Sequence, residues 1–205
     1  MLLRQFKEGV MANFTYLIAD EDSGRGVVID PTAGTLSKVM RMVESEGLRI
    51  ELVLITHSHP DHTSGLKQLL AETGARVGAH RGAGIKKDLA LDDGSALEVG
   101  GLRIRVIHTP GHSRDSVCYL IDGKLFTGDT LFVGECGRTD IPGGDSGALY
   151  DSLFGKLLKL PDEVEVYPGH DYGPRPTSSL GQERRTNYVL EPRSKEEFIE
   201  FMAEG

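Results

Sequence analysis

A six-residue stretch rich in metal ligands constrains the fold of this chain more than any other feature of the sequence. It reads His57-Ser58-His59-Pro60-Asp61-His62 and directly follows the apolar run 52–55, which predicts a buried strand. Imidazole and carboxylate groups are common protein ligands of zinc, iron and manganese. Because the ligands alternate and then pass a turn at the proline, their spacing favours two neighbouring metal ions over one. Two ions need more ligands than this loop supplies, so the fold must bring others to it.

Three further polar residues, His112, Asp129 and His170, stand in one shared local context. Each follows a predicted strand and a turn that contains glycine. Glycine permits tight backbone conformations that bring a side chain to the end of a sheet, and active sites of layered α/β folds commonly lie on such loops. We therefore expect these three residues to complete the site. His80 and His108 are expected to lie outside the ligand set, although His108 could support a ligand indirectly.

Strand-like and helix-like segments alternate along the chain, which indicates an α/β fold. The predicted strands are 13–18, 26–29, 52–55, 99–107, 117–121, 125–127 and 164–166, and the predicted helices are 36–46, 65–71, 149–160, 180–190 and 195–202. Thr63 or Ser64 is the predicted N-cap of the second helix. The pair Asp122-Gly123 predicts a hairpin turn between strands 117–121 and 125–127.

Length and composition predict one enzyme domain over residues 1–205. The formal net charge of −8 and the lack of a basic stripe argue against a nucleic-acid partner. The sequence has no run of about eighteen apolar residues and no signal-peptide pattern. These features predict a cytoplasmic protein without membrane contact, and they are compatible with a homodimer. Cys118 and Cys136 are expected to be free thiols.

The complete ligand set resembles that of the metallo-β-lactamase superfamily, and the resemblance covers nearly the whole chain. It implies an α/β fold of the four-layered αββα sandwich type, with the metals at the strand edge. It also implies two divalent ions, zinc or iron, in two groups of ligands joined by a bridge. The first ion would be held by His57, His59 and His112, the second by Asp61, His62 and His170, with Asp129 as the bridging ligand.

Two such ions would supply a metal-bound hydroxide at neutral pH and polarise a carbonyl group. Asp61 would be catalytic by orienting that hydroxide. The resemblance implies that an aspartate at position 129 sets the chain apart from true β-lactamases and favours thioesterases, dioxygenases and phosphodiesterases. We therefore predict a metal-dependent hydrolase that acts on a thioester such as a hydroxyacylglutathione, as in glyoxalase II.

A persulfide dioxygenase is the main alternative within the same superfamily. Resemblance to that branch implies a single Fe(II) held by His57, His112 and Asp129, a two-histidine, one-carboxylate set, which would oxidise glutathione persulfide. A non-catalytic binding protein that has kept the fold agrees less well with a complete ligand set. Under either enzymatic interpretation the substrate is a small molecule derived from a thiol.

Two further residues are implied to bind that substrate, whose thiol would be glutathione in both branches. By resemblance, Arg138 and Tyr172 would contact the carboxylate and backbone of the tripeptide, since arginine suits bidentate carboxylate binding. Alternatively, Arg138 forms a structural ion pair with Asp140 or Asp145.

Overall fold

The computed structural model describes residues 1–9 and 11–204, which form two six-stranded sheets, a two-stranded hairpin and six helices. The first sheet contains, in spatial order, β1 (Leu2–Glu8), β2 (Asn13–Ala19), β3 (Arg25–Ile29), β4 (Arg49–Leu54), β5 (Arg76–His80) and β6 (Leu89–Leu91). The remaining strands are β7 (Ala96–Val99), β8 (Leu102–His108), β9 (Val117–Ile121), β10 (Lys124–Gly128), the hairpin β11 (Leu131–Phe132) and β12 (Glu135–Cys136), β13 (Glu165–Pro168) and β14 (Ser178–Ser179). The second sheet has the spatial order β14-β13-β10-β9-β8-β7.

The helices lie on the outer faces of the two sheets and complete four layers. They are α1 (Leu36–Ser45), α2 (Pro60–Thr63), α3 (Leu66–Thr73), α4 (Ser146–Gly155), α5 (Leu180–Thr186) and α6 (Lys195–Glu204), with 3₁₀ turns at Leu157–Lys159 and Tyr188–Leu190. One apolar cluster fills the space between the sheets, a second lies under α1 and α3, and a third lies under α4, α5 and α6. The αββα architecture expected from the sequence is therefore confirmed.

Strand β2 illustrates how the sequence specifies these layers. Successive side chains of a strand point to opposite faces of its sheet. Phe14, Tyr16 and Ile18 accordingly pack between the sheets, whereas Leu17 and Ala19 pack under the helices. In the described part of the chain, no helix combines the length and the apolar character needed to cross a membrane.

Several predicted elements differ in their bounds from those observed. The predicted strand 99–107 is a hairpin, because Gly100 and Gly101 turn the chain between β7 and β8. The predicted N-cap of α3 is wrong, since Gly65 occupies that position. Thr63 instead donates a hydrogen bond to the carbonyl of His59 and Ser64 accepts one from Ala33.

Two of the predicted helices are also shorter than expected. Residues 149–160 form the end of α4 and a separate 3₁₀ turn, and α4 begins earlier because Asp145 caps it by accepting a bond from the Ala148 amide. Residues 180–190 likewise divide into α5 and a 3₁₀ turn. Strands β1, β5 and β6 were not predicted, since their short or mixed patterns resemble those of loops.

The strand directions explain why the loops with the predicted ligands meet. Strand β10 is parallel to β13, and β8 has the same direction because β9 lies antiparallel between β8 and β10. The carboxyl ends of these three strands therefore share one edge of the second sheet. The end of β4 lies against the same edge, since Val117 N donates to Thr56 O (2.8 Å) and the Tyr119 hydroxyl donates to Ile55 O (2.7 Å).

We expect Tyr119→Phe to lower the free energy of unfolding by about 1–2 kcal/mol, because it leaves a buried carbonyl of the first sheet without this donor. Urea denaturation of the metal-free protein measures the change. Tyr172→Phe, at an exposed residue, is the matched control and should stay within about 0.5 kcal/mol of the wild type. Equal losses in the two variants would contradict this role for Tyr119.

Candidate metal centre

Three imidazoles form the first group of side chains at the shared edge. His57 and His59 lie on the loop after β4, and His112 lies on the loop after β8. His59 Nδ1 is 3.0 Å from His57 Nε2 and 3.0 Å from His112 Nε2. His57 and His112 are buried. The arrangement brings three nitrogen atoms from two loops to one point.

A second group lies beside the first. His62, in the short helix α2, and His170, after β13, have their Nε2 atoms 3.2 Å apart. Asp61 Oδ2 is 3.5 Å from each of them. Both histidines are buried, whereas the Asp61 side chain is about one-third exposed at 33%. Asn13 Nδ2 donates to Asp61 Oδ2 (3.0 Å) and holds this carboxylate towards the two rings.

Asp129, on the loop after β10, lies between the two groups. Its Oδ2 atom is 3.6 Å from His112 Nε2 and 3.3 Å from His170 Nε2, and its Oδ1 atom is 3.3 Å from His62 Nε2. Asp129 is thus near nitrogen atoms of both groups, as expected for a bridging residue. All seven residues predicted as ligands lie together in one centre.

The opposite nitrogen atoms of three rings are fixed by acceptors outside the centre. His62 Nδ1 donates to Asp30 Oδ2 (3.0 Å), His112 Nδ1 to the Arg138 carbonyl (2.9 Å), and His170 Nδ1 to the Met11 carbonyl (2.8 Å). We assign the ring protons from these partners. A proton on Nδ1 leaves a lone pair on Nε2, which points into the centre.

The donor set fits a divalent metal ion. Lone pairs of several imidazoles converge on a buried carboxylate, and among the described residues no group donates a hydrogen bond to the buried Asp129 Oδ1 atom. Such an acceptor is costly unless a cation or donor satisfies it. Five imidazoles and two carboxylates are ligands typical of zinc and iron. The side chains that could share an ion form three overlapping groups, which are His57, His59, His112; His57, His62, Asp129; and Asp61, His62, His170.

The histidines around Asp129 keep its carboxylate ionised. Burial, followed by the nearby His62, lowers the pKa of His57 well below its usual value. Burial alone would lower the pKa of His62, but the Asp129 and Asp30 carboxylates outweigh it and raise that pKa. Burial would likewise raise the pKa of Asp129, yet His62 and His170 hold it well below the usual value. Asp129 is therefore an anion at neutral pH.

Two glycines allow the loops to approach the centre. Gly128 has φ +49°, a conformation that favours glycine, and a Cβ atom there would lie 2.6 Å from Thr56 Oγ1. At Gly169 a Cβ atom would overlap Asp129 Oδ1 and lie 2.9 Å from His62 Cε1. The glycines before Asp129 and His170 are therefore required for the close approach of the two loops as well as for their turns.

Asp30 has no predicted role in the sequence, yet it supports the centre through Thr56 and His62. Asp30 is 2% exposed and has φ +48°, a strained conformation for a residue with a side chain. Its Oδ1 atom accepts the Thr56 amide (2.8 Å), and Oδ2 accepts the Thr56 hydroxyl (2.5 Å) as well as His62 Nδ1. The signal in the sequence was an acidic residue at the end of β3, before Pro31.

A cleft of about 1140 Å³ opens above the centre. Its walls include the hairpin β11–β12 and the end of α6. Tyr172 lines it and stacks on His170, with ring centroids 4.6 Å apart at 12°. Arg138 lies at the mouth, where Nε and Nη2 each donate to the Asp140 carboxylate at 2.6 Å. The ion pair is thus with Asp140, whereas Asp145 caps α4.

His80, His108 and Cys136 lie outside the three groups of side chains that could share an ion. Among the described residues, His80 and His108 belong to no group that could share an ion, and their rings stack on each other at 4.1 Å. Cys136 lines the cleft but is buried, and burial with the nearby Glu135 raises the pKa of its thiol to about 12. A protonated thiol is a poor metal ligand.

Comparison with known proteins connects the centre to one family. Residues 9–87 and 83–170 match the sequence model of the metallo-beta-lactamase superfamily. The human mitochondrial persulfide dioxygenase ETHE1 is 35% identical over 207 aligned residues, which cover 98% of this chain and 80% of that protein. The crystal structure of ETHE1 from Myxococcus xanthus has a TM-score of 0.95 and 38% identity, and the match covers 99% of this chain and 90% of that one.

A hydrolase is also similar, over a shorter part of the chain. The hydroxyacylglutathione hydrolase of Francisella tularensis subsp. tularensis is 38% identical over 173 residues, which cover 82% of this chain and 67% of that protein. The two ETHE1 matches therefore extend over more of this chain than the hydrolase match does.

We expect Asp30→Asn to weaken metal binding by roughly 10–100-fold, because its amide cannot accept from both Thr56 and His62 as the carboxylate does. Competition between the protein and a chromophoric chelator for Zn²⁺ measures this affinity. Asp20→Asn, at a turn outside the centre, should bind Zn²⁺ as the wild type does. Wild-type affinity in Asp30→Asn would show that this support is dispensable.

Proposed function

The chain belongs to the metallo-beta-lactamase superfamily, and we propose that within it the protein is an iron-dependent dioxygenase of small persulfides. The observation that carries the proposal is the extent of the match to persulfide dioxygenases, which includes 98% of this chain for the human protein. The hydrolase match leaves about a fifth of the chain outside it, at 82% coverage. This ranking reverses the order favoured by the sequence analysis, which put a thioester hydrolase first.

The side-chain geometry is compatible with a single iron at His57, His112 and Asp129. Asp129 Oδ2 is 3.6 Å from His112 Nε2. Ligand atoms of His57 lie within 4.8 Å of those of His112 and of Asp129 in their respective groups. These two imidazoles and one carboxylate would hold an Fe(II) ion, which would supply open coordination positions for the oxidation of a persulfide.

The side chains around the three proposed ligands would prepare the cleft for this reaction. Asp129 is held as an anion by the neighbouring histidines and would offset the charge of the ion. The Arg138 carbonyl fixes the ring of His112. Phe132 contacts Tyr172 edge to face at 5.2 Å, and the two rings cover His170 and keep water from one side of the centre.

The substrate we propose is the persulfide of a small thiol, with glutathione as the first thiol to test. Arg138 uses two of its five N–H groups on Asp140, so three remain for a substrate carboxylate at the mouth of the cleft. Tyr172 presents an exposed aromatic face beside the centre. Addition of both oxygen atoms to the outer sulfur, followed by hydrolysis, would release sulfite and the free thiol.

A thioester hydrolase that uses two ions is the second candidate. The complete second group of Asp61, His62 and His170 favours it, because a single-iron enzyme has no need of these ligands. Asp61, held by Asn13, would then orient the attacking water. The 38% identity to the Francisella hydrolase supports the same candidate.

We expect protein loaded anaerobically with Fe²⁺ to consume oxygen and form sulfite when glutathione persulfide is added. The variant His112→Ala, which removes one proposed iron ligand, should reduce this rate by at least about 100-fold. That factor is the upper end of the loss caused by removing a residue that only supports a metal ligand. The matched variant His170→Ala should keep most of the rate, because His170 lies outside the proposed iron site. An oxygen electrode and sulfite analysis measure both.

Two results would contradict the dioxygenase with a single iron. Hydrolysis of lactoylglutathione without oxygen uptake on the persulfide would refute the dioxygenase and favour the second candidate. Equal losses in His112→Ala and His170→Ala would argue for two ions rather than one.

We expect Arg138→Ala to raise KM for glutathione persulfide roughly tenfold with little change in kcat, because the guanidinium would bind substrate and transition state alike. Steady-state kinetics on the iron-loaded enzyme measure the two constants. Arg103→Ala, at an exposed arginine of β8, serves as the control. An unchanged KM would leave Arg138 only its ion pair with Asp140.

A further inference from the structure

The β11–β12 hairpin and the residues that follow it contact three of the proposed ligands. Gly137 lies so close that a Cβ atom would overlap the Asp129 carbonyl and lie 3.1 Å from His112 Cβ. The next carbonyl, that of Arg138, accepts the proton of His112 Nδ1. Phe132 packs edge to face on His170, with centroids 5.8 Å apart at 89°. A shift of this hairpin would therefore move the wall and the ligands of the centre together.

A buried carboxylate on α5 holds the hairpin from its far side. Glu183 is 1% exposed, and its Oε2 atom accepts the Gly134 amide in the hairpin turn (2.8 Å) and Asn187 Nδ2 (2.9 Å). Asn187 Nδ2 also donates to the Glu135 carbonyl (3.1 Å). The Tyr188 hydroxyl donates to the Glu135 carboxylate. Two successive residues of the hairpin are thus tied to the segment that leaves α5.

The Glu183 carboxylate receives its hydrogen bonds from two N–H groups. Within residues 1–9 and 11–204, no lysine, arginine or histidine forms an ion pair with it, and the neighbouring Arg184 pairs with Asp162 instead. A buried carboxylate without a counter-ion is costly unless N–H donors satisfy it. Hydrogen bonds to an ionised acceptor are shorter and stronger than neutral ones. The hairpin amide and Asn187 therefore form a firm attachment at this point.

We propose that Glu183 is a positioning residue for the metal centre and acts through the β11–β12 hairpin. It touches neither ion nor substrate. It fixes Gly134 and, with Asn187, Glu135, so that the chain continues into Gly137 and the Arg138 carbonyl in the register that orients His112. The inference rests on the metal-dependent function proposed above, but it is independent of which of the two reactions the centre performs.

Titration of the metal-free protein with Co²⁺, followed by visible absorption, tests this role without substrate. Glu183→Ala should weaken Co²⁺ binding by about tenfold or more, as loss of an outer support does, and should alter the absorption bands. Glu183→Gln should remain within about threefold of the wild type, because its amide oxygen can still accept both N–H groups. Val39→Ala, a buried truncation on α1, is the control for lost stability and should bind Co²⁺ normally.

Asn187→Ala serves as a second variant where Glu183→Ala does not fold. It removes the bonds to Glu135 and to the Glu183 carboxylate, so a smaller loss of Co²⁺ affinity is expected. Wild-type affinity and absorption in either variant would overturn the inference. So would an equal loss in Val39→Ala. A wild-type protein that binds no Co²⁺ would instead refute the metal-dependent function itself.

Discussion

A buried anion among converging imidazole lone pairs is the constraint on which the rest of this structure depends. Asp129 lies 3.3 Å from His62 and His170 and 3.6 Å from His112, and its Oδ1 atom has no hydrogen-bond donor in the part of the chain that the structure describes. This arrangement is unfavourable in an apolar interior unless a cation joins it. The sandwich must therefore hold the side chains rigidly enough to keep the site formed, and the divalent ion that the donor set fits would complete it.

That rigidity comes from groups that never face the ion. Asp30 and the carbonyls of Met11 and Arg138 accept the outer ring protons and orient the imidazoles. These acceptors come from distant parts of the chain, and each is itself fixed by the sheets or by the hairpin. The proposed function of the centre thus depends on contacts made well outside it, including those of Glu183.

The choice between two reactions illustrates a limit of ligand counting. Both groups of side chains are complete, which agrees with a hydrolase that uses two ions but does not distinguish it from a dioxygenase with one. The long match to persulfide dioxygenases favours a single iron, although Asp61, His62 and His170 are all in place. Side chains that could hold an ion do not reveal whether one is bound, because affinity depends on small differences in orientation and charge.

The sequence by itself determined the seven proposed ligands, because metal ligands after strand ends are a local pattern. The αββα layers were implied by the resemblance to the family, since alternating strands and helices indicate only an α/β fold. The tertiary structure alone decided which atoms face one another. Strand β1 was missed because its residues are mixed in character, and the roles of Asp30 and Glu183 were missed because their partners are distant in sequence. Such contacts arise from strand direction and packing between layers, which no local pattern specifies.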